Sequence, residues 1–235
     1  AALAEPGLSV YTSRIPRMTM ILFNLDDPQL EFLQDEVIRK ALYMGLNRQY
    51  IINTILGGQA ILANGPILPD TWAYYEGVEK ISYDSRAAQK LLDDTGYLIA
   101  GGAEVRSKED ETLSFTLLYP DTEFHKNLAE TIQLQWKELG VDVVLTAATY
   151  ETLLNDHLLT RNYEAALIDL DLSRSYDPDP YPFWHQTEGT GGQNYSQWDN
   201  RAASEYLEQA RVIADTETRM RLYRNFQVIF AFSFT

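Results

Sequence analysis

Apolar residues along the chain follow two different spacings, which predict strands and helices in turn. Residues Met18 to Leu25 form an apolar run typical of a buried strand. Apolar positions from Leu30 to Leu42 then recur every three or four residues, which is the spacing of one helix face. The same spacing predicts later helices that begin near residues 47, 84, 124, 149, 199 and 216.

Polar residues and glycines mark where several of these helices begin and end. We expect Asn47 and Thr149 to cap helices, because their side chains accept hydrogen bonds from free backbone N–H groups of the first turn. Gly96 follows a short helix that starts at Asp84 or Ser85, and its left-handed conformation would end that helix.

The middle of the chain contains a strand, a helix and a strand in close succession. Leu113 to Tyr119 predicts the first strand, Phe124 to Leu139 the helix, and Val141 to Thr146 the second strand. This order within about thirty residues is typical of two neighbouring parallel strands. A further strand is predicted from Tyr163 to Leu170. The fold class is therefore α/β, with a sheet and flanking helices.

Three stretches have no regular pattern. Gly101 to Thr112 is expected to be an exposed excursion, whereas Ala60 to Gly77 and Asp171 to Gln197 are rich in proline, glycine and aromatic residues. Aromatic rings outside the predicted helices suit a ligand cleft, but they can also pin long loops onto the sheet, which explains each ring taken alone. These rings are Trp72, Tyr74, Tyr75, Tyr176, Tyr181, Trp184, Tyr195 and Trp198.

Composition excludes several classes of protein. The 235 residues include 19 Lys plus Arg against 34 Asp plus Glu, a formal net charge of −15, which argues against nucleic-acid binding and against non-specific membrane binding. The length allows one large domain or two small ones. Cysteine is absent, so disulfides and thiolate metal sites are excluded. No apolar run reaches the roughly 18 residues of a membrane span, and Ala1 to Pro6 lacks the features of a signal peptide.

Few residues are arranged like a reactive centre. Histidines 125 and 157 lie among polar residues of predicted helices and are expected to be solvated, and no histidine has a partner at metal-ligand spacing. Asp177 and Asp179 are the two carboxylates that a hydrolase would use, yet aspartates beside prolines also form turns. The glycines from 189 to 192 lack the lysine of a phosphate-binding loop.

Eight short motifs, in order, resemble those of the bacterial extracellular solute-binding proteins of family 5, which serve peptide, nickel and oligosaccharide importers. Individually each motif is weak, but together they run from about Met20 to Phe230. The carrying residues are Ile38 to Leu42 with Asn47-Arg48, Leu56 to Ala60, Gly65 to Pro69, Tyr83 to Tyr97, Leu113 to Pro120, Leu139 to Val141, Asp179 to Trp184, and Arg219 with Leu222-Tyr223 and Gln227.

The resemblance implies a periplasmic-binding-protein-like lobe of type II, with a central mixed sheet flanked by helices. Members of the family are more than twice as long, so the chain resembles their second large lobe, often called domain III, and is expected to be an excised domain or a fragment. Residues 1–24 would be a hinge-proximal segment, with the crossing near Arg17 to Asn24, and residues 25–235 would form the ligand-binding lobe.

The function implied by the resemblance is passive capture of a solute between two lobes, followed by delivery to the permease of an ABC importer. The resemblance implies no catalysis and no cofactor. It also implies a periplasmic or extracellular location, with anchoring as a lipoprotein. The alternative that the residues themselves leave open is a carboxylate-dependent hydrolase that uses Asp177 and Asp179.

The resemblance also implies which residues line the cleft. Peptide is the expected ligand class, although the aspartate that holds a peptide amine in the family is replaced here by Tyr176. A nickel site would need a histidine in the cleft, and only His185 lies near it in sequence. The expected ligand-binding residues are Asp171, Arg174, Tyr176, Asp177, Trp184, Asn194 and Tyr195.

Overall fold

A computed structural model describes residues 13, 15–173 and 176–233 of the protein. The strands are β1 (Arg17–Phe23), β2 (Ser107–Lys108), β3 (Glu111–Thr112), β4 (Ser114–Pro120), β5 (Asp142–Ala148) and β6 (Ala165–Asp171). The main sheet has four strands in the order β1-β6-β4-β5, and β2 and β3 form a separate short hairpin.

The helices begin close to where the sequence predicts them. Asn47 accepts a hydrogen bond from the Tyr50 N–H, and Thr149 accepts one from the Thr152 N–H, so both predicted caps are confirmed. The helix predicted near Asp199 is capped one residue later, by Asn200. No helix of the described residues is long and apolar enough to cross a membrane. The helices are α1 (Glu36–Met44), α2 (Arg48–Thr54), α3 (Ser85–Asp94), α4 (Glu123–Lys137), α5 (Tyr150–Thr152, continued by a π-helical segment, Leu153–Leu158), α6 (Tyr181–Trp184), α7 (Arg201–Val212) and α8 (Thr216–Ser233).

Strand directions confirm the prediction from the middle of the chain. β4 and β5 are parallel, and β6 runs parallel to β4 on its other side, whereas β1 is antiparallel to β6. The ladder between β4 and β6 ends at the pair Leu118 and Ala166, although both strands continue beyond it. The carboxyl ends of these two central strands are therefore not joined by the regular ladder.

Helices cover both faces of the sheet, and each face has its own apolar core. The first core places α1, α3 and α4 against one face, around Phe115, Leu117 and Trp136. The second core places α7 and α8 against the other face, around Ala166, Trp198 and Phe226. Burial on both faces explains why the central strands are apolar almost throughout.

The stretch from Gly101 to Thr112 differs in part from its prediction as an exposed excursion. Residues 101–104 are exposed, but β2 and β3 form a hairpin and Arg106 is buried. The Arg106 guanidinium donates to the carbonyl oxygens of Leu139 (2.6 Å) and Tyr97 (2.7 Å). The prediction was wrong for Arg106 because its charge is needed at carbonyls just beyond the ends of α4 and α3.

Candidate functional site

The order and direction of the strands place a crevice at the carboxyl ends of β4 and β6. The chain leaves β4 into α4, on the face of the first core, and leaves β6 toward α6, whose Trp184 packs in the second core. In open α/β sheets, ligands bind where neighbouring parallel strands send their connections to opposite faces. We call this place the crevice; it comprises residues 17–19, 120–125, 148–150 and 169–171.

A network of polar side chains is centred on Asp169 in the crevice. The Thr19 hydroxyl donates to Asp169 Oδ1 (2.6 Å), and the Tyr150 hydroxyl donates to Asp169 Oδ2 (3.4 Å). His125 Nε2 lies 3.2 Å from the same Oδ2. Three segments that are distant in sequence, β1, α4 and α5, therefore converge on one carboxylate of β6.

His125 is buried, so the expectation that it is solvated was wrong. Its Nδ1 lies 2.8 Å from the Thr122 hydroxyl, which also accepts the backbone N–H of His125 as the N-cap of α4. Its Nε2 lacks a hydrogen-bond partner among the described residues, because the approach to Asp169 is close but poorly aligned. The other histidine expected to be solvated, His157, is partly exposed and contacts the Asn162 carbonyl oxygen (2.8 Å).

The surroundings of Tyr150 disfavour ionisation of its phenol. Burial raises the pKa of Tyr150, the charge of Asp169 and the hydrogen bond to it raise the pKa further, and Arg17 opposes them. A neutral phenol keeps its hydrogen, so Tyr150 remains a donor to Asp169 at physiological pH. Its ring is half exposed and stands edge-on to His125.

The two faces of the sheet have different chemistry at the crevice. Arg17 pairs with Asp171 and Thr19 with Asp169 along the antiparallel ladder, and side chains at these alternate positions share the face of α4. Met20 and Leu170 occupy the opposite face, beside a small and mostly apolar recess. The recess is lined by Met20, Leu22, Leu170, Phe183, Trp184, Gln193, Tyr195 and Ser196.

Four of the predicted ligand-binding residues lie close together in sequence, at the end of β6 and just after it. Asp171 is the last residue of β6 and is exposed at the crevice. Tyr176 is 99% exposed, and Asp177 is paired with Arg219, whose guanidinium lies 2.7 Å from a carboxylate oxygen. Arg174 lies outside the described residues.

Asn194, Tyr195 and Trp184 are buried. The Asn194 amide donates to the Trp198 carbonyl oxygen (2.8 Å) and accepts from the Ser196 hydroxyl (3.0 Å). The Tyr195 carbonyl oxygen accepts from the Tyr163 hydroxyl (2.6 Å), just ahead of β6 and thus at the end of that strand opposite Asp171. The structure does not bring Asn194 next to Asp171, and contact between these buried residues and a solute stays a prediction.

The two carboxylates of the hydrolase hypothesis are each held by an arginine. Asp177 pairs with Arg219 of α8, and Asp179 pairs with Arg211 of α7 at 2.7 Å. Asp179 also accepts the backbone N–H of Tyr181 (3.1 Å) at the start of α6. The contact with the Tyr181 N–H is the local turn role expected from the Asp-Pro-Asp-Pro sequence, whereas the two arginine pairs are long-range contacts that the sequence did not predict.

Sequence reasoning missed Thr19, His125, Tyr150 and Asp169. One signal was available, since Thr19, Asp169 and Asp171 are polar residues inside otherwise apolar strands. The convergence of α4 and α5 on β6 is set by tertiary packing, and no spacing along the chain reports it.

The described residues offer no metal centre. No group of three or more His, Asp or Glu side chains among them is arranged to hold a metal ion. His185, the histidine considered for nickel, is buried, with its two ring nitrogens 2.7 Å from the Thr187 hydroxyl and 3.0 Å from Glu208. Both nitrogens of that ring are thus occupied by protein groups.

Comparison with known proteins gives the family. The family model of the bacterial extracellular solute-binding proteins, family 5 Middle, matches residues 1–195. The chain belongs to this family. Family 5 consists of solute-binding receptors, so the predicted resemblance is confirmed.

Curated relatives in family 5 are considerably longer than the chain. Oligopeptide-binding protein AppA of Bacillus subtilis is 25% identical over 196 residues, which cover 82% of the chain and 36% of AppA. Protein XP55 of Streptomyces lividans is 31% identical over 195 residues, which cover 82% of the chain and 35% of that protein. The chain thus spans little more than a third of these family 5 relatives.

Solved structures of family 5 proteins share the fold. AppA from Bacillus subtilis in complex with a nonapeptide superposes with a TM-score of 0.86 at 24% identity, over 93% of the chain and 43% of AppA. NikZ from Campylobacter jejuni in complex with Ni(L-His) gives a TM-score of 0.82 at 21% identity, over 94% of the chain and 44% of NikZ. The predicted fold class, a mixed sheet flanked by helices in a periplasmic-binding-protein lobe, is confirmed.

Proposed function

We propose that the chain forms one lobe of the solute receptor of an ABC importer, which closes on its solute with a second lobe and presents it to the permease. The observation that carries the proposal is a crevice with exposed polar groups at the switch point of the sheet, in a chain of a solute-binding family. Such a site binds by hydrogen bonds and packing, and solute capture then requires no bond to be made or broken.

The lobe that we propose is the second large lobe, domain III, with residues 1–24 next to the hinge and residues 25–235 forming the lobe itself. The position of β1 supports this division. β1 is the antiparallel strand beside β6, and its first residue, Arg17, pairs with Asp171 at the crevice. A chain that enters the lobe through β1 therefore enters beside the proposed binding site.

We keep Asp171, Arg174, Tyr176, Asp177, Trp184, Asn194 and Tyr195 as the proposed ligand-binding set, and Asp169 and Tyr150 join it. Exposure at the crevice supports Asp171 and Tyr150 most directly. Trp184 and Tyr195 would act through the recess that they line, and Asn194 by ordering the loop around them.

Peptide is the solute class that we propose. Among the relatives, AppA is named an oligopeptide-binding protein and its solved structure holds a nonapeptide. The exposed side chains of Asp171 and Tyr150 give the crevice polar groups that can form hydrogen bonds with a peptide backbone. We propose that the protein has no catalytic activity, because Asp177 and Asp179 are engaged by Arg219 and Arg211.

We propose a periplasmic or extracellular location for the protein, with anchoring as a lipoprotein. The family description, which names bacterial extracellular proteins, supports the location. Lipoprotein anchoring would hold the receptor close to its permease.

A thermal-shift screen of the product of the uninterrupted reading frame tests the proposal. The panel contains peptides of two to nine residues, Ni(II)-histidine and haem, and we expect peptides to raise the melting temperature. Saturation at a hundred times Kd stabilises by about 2.7 kcal/mol. Asp171→Asn should weaken the shift, whereas Asp110→Asn, at an exposed position in the β2–β3 hairpin, should leave it unchanged.

Two results would contradict the proposal. Micromolar peptide binding by the 235-residue chain alone would be incompatible with a site that needs two lobes. Turnover of chromogenic glycosides or esters, lost on Asp177→Asn and Asp179→Asn, would support the hydrolase instead.

A further inference from the structure

We infer that His125 is a positioning residue of the crevice, which orients the Asp169 carboxylate toward the bound solute. The inference rests on the proposed function for the identity of the site, and on the geometry of Thr122, His125 and Asp169 for the role. These three side chains connect the start of α4 to the end of β6. They lie beyond the last ladder pair that joins β4 to β6.

The Thr122 hydroxyl fixes the orientation of the imidazole. It accepts the backbone N–H of His125 at 3.2 Å and lies 2.8 Å from Nδ1, so its own hydrogen is available to Nδ1. Nε2 then carries a hydrogen and directs it toward Asp169. The opposite tautomer would place a bare nitrogen 3.2 Å from a carboxylate oxygen, where two lone pairs repel each other.

The contact between His125 and Asp169 is nearly formed. The imidazole is buried and Nε2 has no hydrogen-bond partner among the described residues, which is costly for a polar atom. A small rotation of the Asp169 carboxylate would complete the bond. Binding-site hydrogen bonds are often poorly aligned without a ligand and tighten in the complex. A solute that contacts Asp169 would therefore meet a carboxylate whose orientation is already restricted.

Other groups around the imidazole do not provide the same support. Tyr150 stands edge-on to His125 and its hydroxyl donates a hydrogen bond to one oxygen of the Asp169 carboxylate. The Thr19 hydroxyl donates to the other oxygen. Both of these residues are exposed, whereas the His125 side chain is 4% exposed. The imidazole therefore lies against Asp169 from the buried side, whereas Thr19 and Tyr150 contact the carboxylate from the exposed side.

A graded set of substitutions tests the role of His125. Glutamine places its amide nitrogen near the position of Nε2, asparagine places its amide group near Nδ1, and leucine provides neither. We measure Kd for trialanine by calorimetry, and the melting temperature, on the full-length protein. We expect His125→Leu to raise Kd about tenfold or more, the effect of losing one hydrogen bond to a charged group. His125→Asn should raise Kd nearly as much as His125→Leu does. His125→Gln should keep Kd within about threefold of the wild-type value.

The matched control is His157→Gln, which changes a partly exposed histidine outside the crevice and should leave Kd unchanged. In a double-mutant cycle, His125→Leu should have little further effect once Asp169 is asparagine. Equal losses of affinity for glutamine and asparagine, or losses that follow the melting temperature, would overturn the inference, because a merely structural histidine would behave in that way.

A spectroscopic measurement tests the same geometry without a solute. In ¹⁵N-histidine-labelled protein we expect His125 Nε2 to carry a hydrogen, and Asp169→Asn to shift its resonance. A His125 ring with a bare Nε2 would overturn the inference. If the wild-type protein fails to bind trialanine or any other peptide, the proposed peptide class is wrong, while the nitrogen shifts still decide the role of His125.

Discussion

Replacing Gly45 with alanine measures how tightly α1 packs against the end of α4. The added Cβ would lie 2.3 Å from Leu139 Cδ1 and 3.0 Å from Leu139 Cγ. Leu139 is fully buried in the first core, so it can move away only by displacing its neighbours. Overpacking of this kind costs about 1–3 kcal/mol.

The backbone of Gly45 works in the opposite direction. Its φ of −74° lies in the helical region, which alanine adopts freely. Removing the flexibility of glycine from the unfolded chain stabilises by about 0.4–1 kcal/mol. The steric cost is the larger of the two, so we expect Gly45→Ala to lower the free energy of unfolding by about 1–2 kcal/mol.

Urea unfolding followed by circular dichroism measures this difference, and Gly65→Ala is the matched control. A Cβ at Gly65 would meet nothing within 4 Å, so this variant should be neutral or slightly more stable. If Gly45→Ala proved as stable as the wild type, Leu139 would have room to move and the described packing of α4 against α1 would be wrong.

Two further predictions concern stability. Trp136→Phe should lower the free energy of unfolding by about 2–3 kcal/mol, because the buried Leu42 carbonyl oxygen loses the indole N–H that binds it at 2.9 Å; an unchanged urea midpoint would contradict this. Burial, helped by the charge of Asp179, raises the pKa of Tyr223 from 10.0 to about 12, so the folded state holds its proton after the unfolded state has lost it. The contribution of Tyr223 to stability should therefore be constant below pH 10 and fall between pH 10 and pH 12, so that stability in this range falls less steeply in Tyr223→Phe; equal slopes for the two proteins would refute the assignment.

Much of the fold follows from local patterns in the sequence. Asn47 and Thr149 are confirmed as caps because capping depends only on residues two or three positions away. β4, α4 and β5 follow from the change between two hydrophobic spacings. Gly140 ends the region of α4 with a φ of +79°, a conformation that glycine adopts easily.

The candidate site was less predictable, because its residues meet only through tertiary packing. His125 has polar neighbours on α4, yet it faces Asp169, which lies on β6 beyond two further elements. Arg106 lies in a charged, glycine-rich stretch, and nothing nearby in sequence shows that it will bind the Leu139 carbonyl oxygen. Among the aromatic rings, Trp184, Tyr195 and Trp198 pack in the second core, as the loop-pinning interpretation predicts.

The register between β1 and β6 determines which side chains lie opposite Asp169. Because side chains alternate between faces, sliding β1 by one residue would bring Met18 or Met20 opposite Asp169, where Thr19 now stands. A single inserted residue would thus place a methionine side chain where the Thr19 hydroxyl now lies and would turn the neighbouring side chains of β1 to the other face of the sheet. Substitution at a single strand position therefore changes one side chain at the proposed site, whereas an insertion or deletion within β1 changes all of those that β1 contributes.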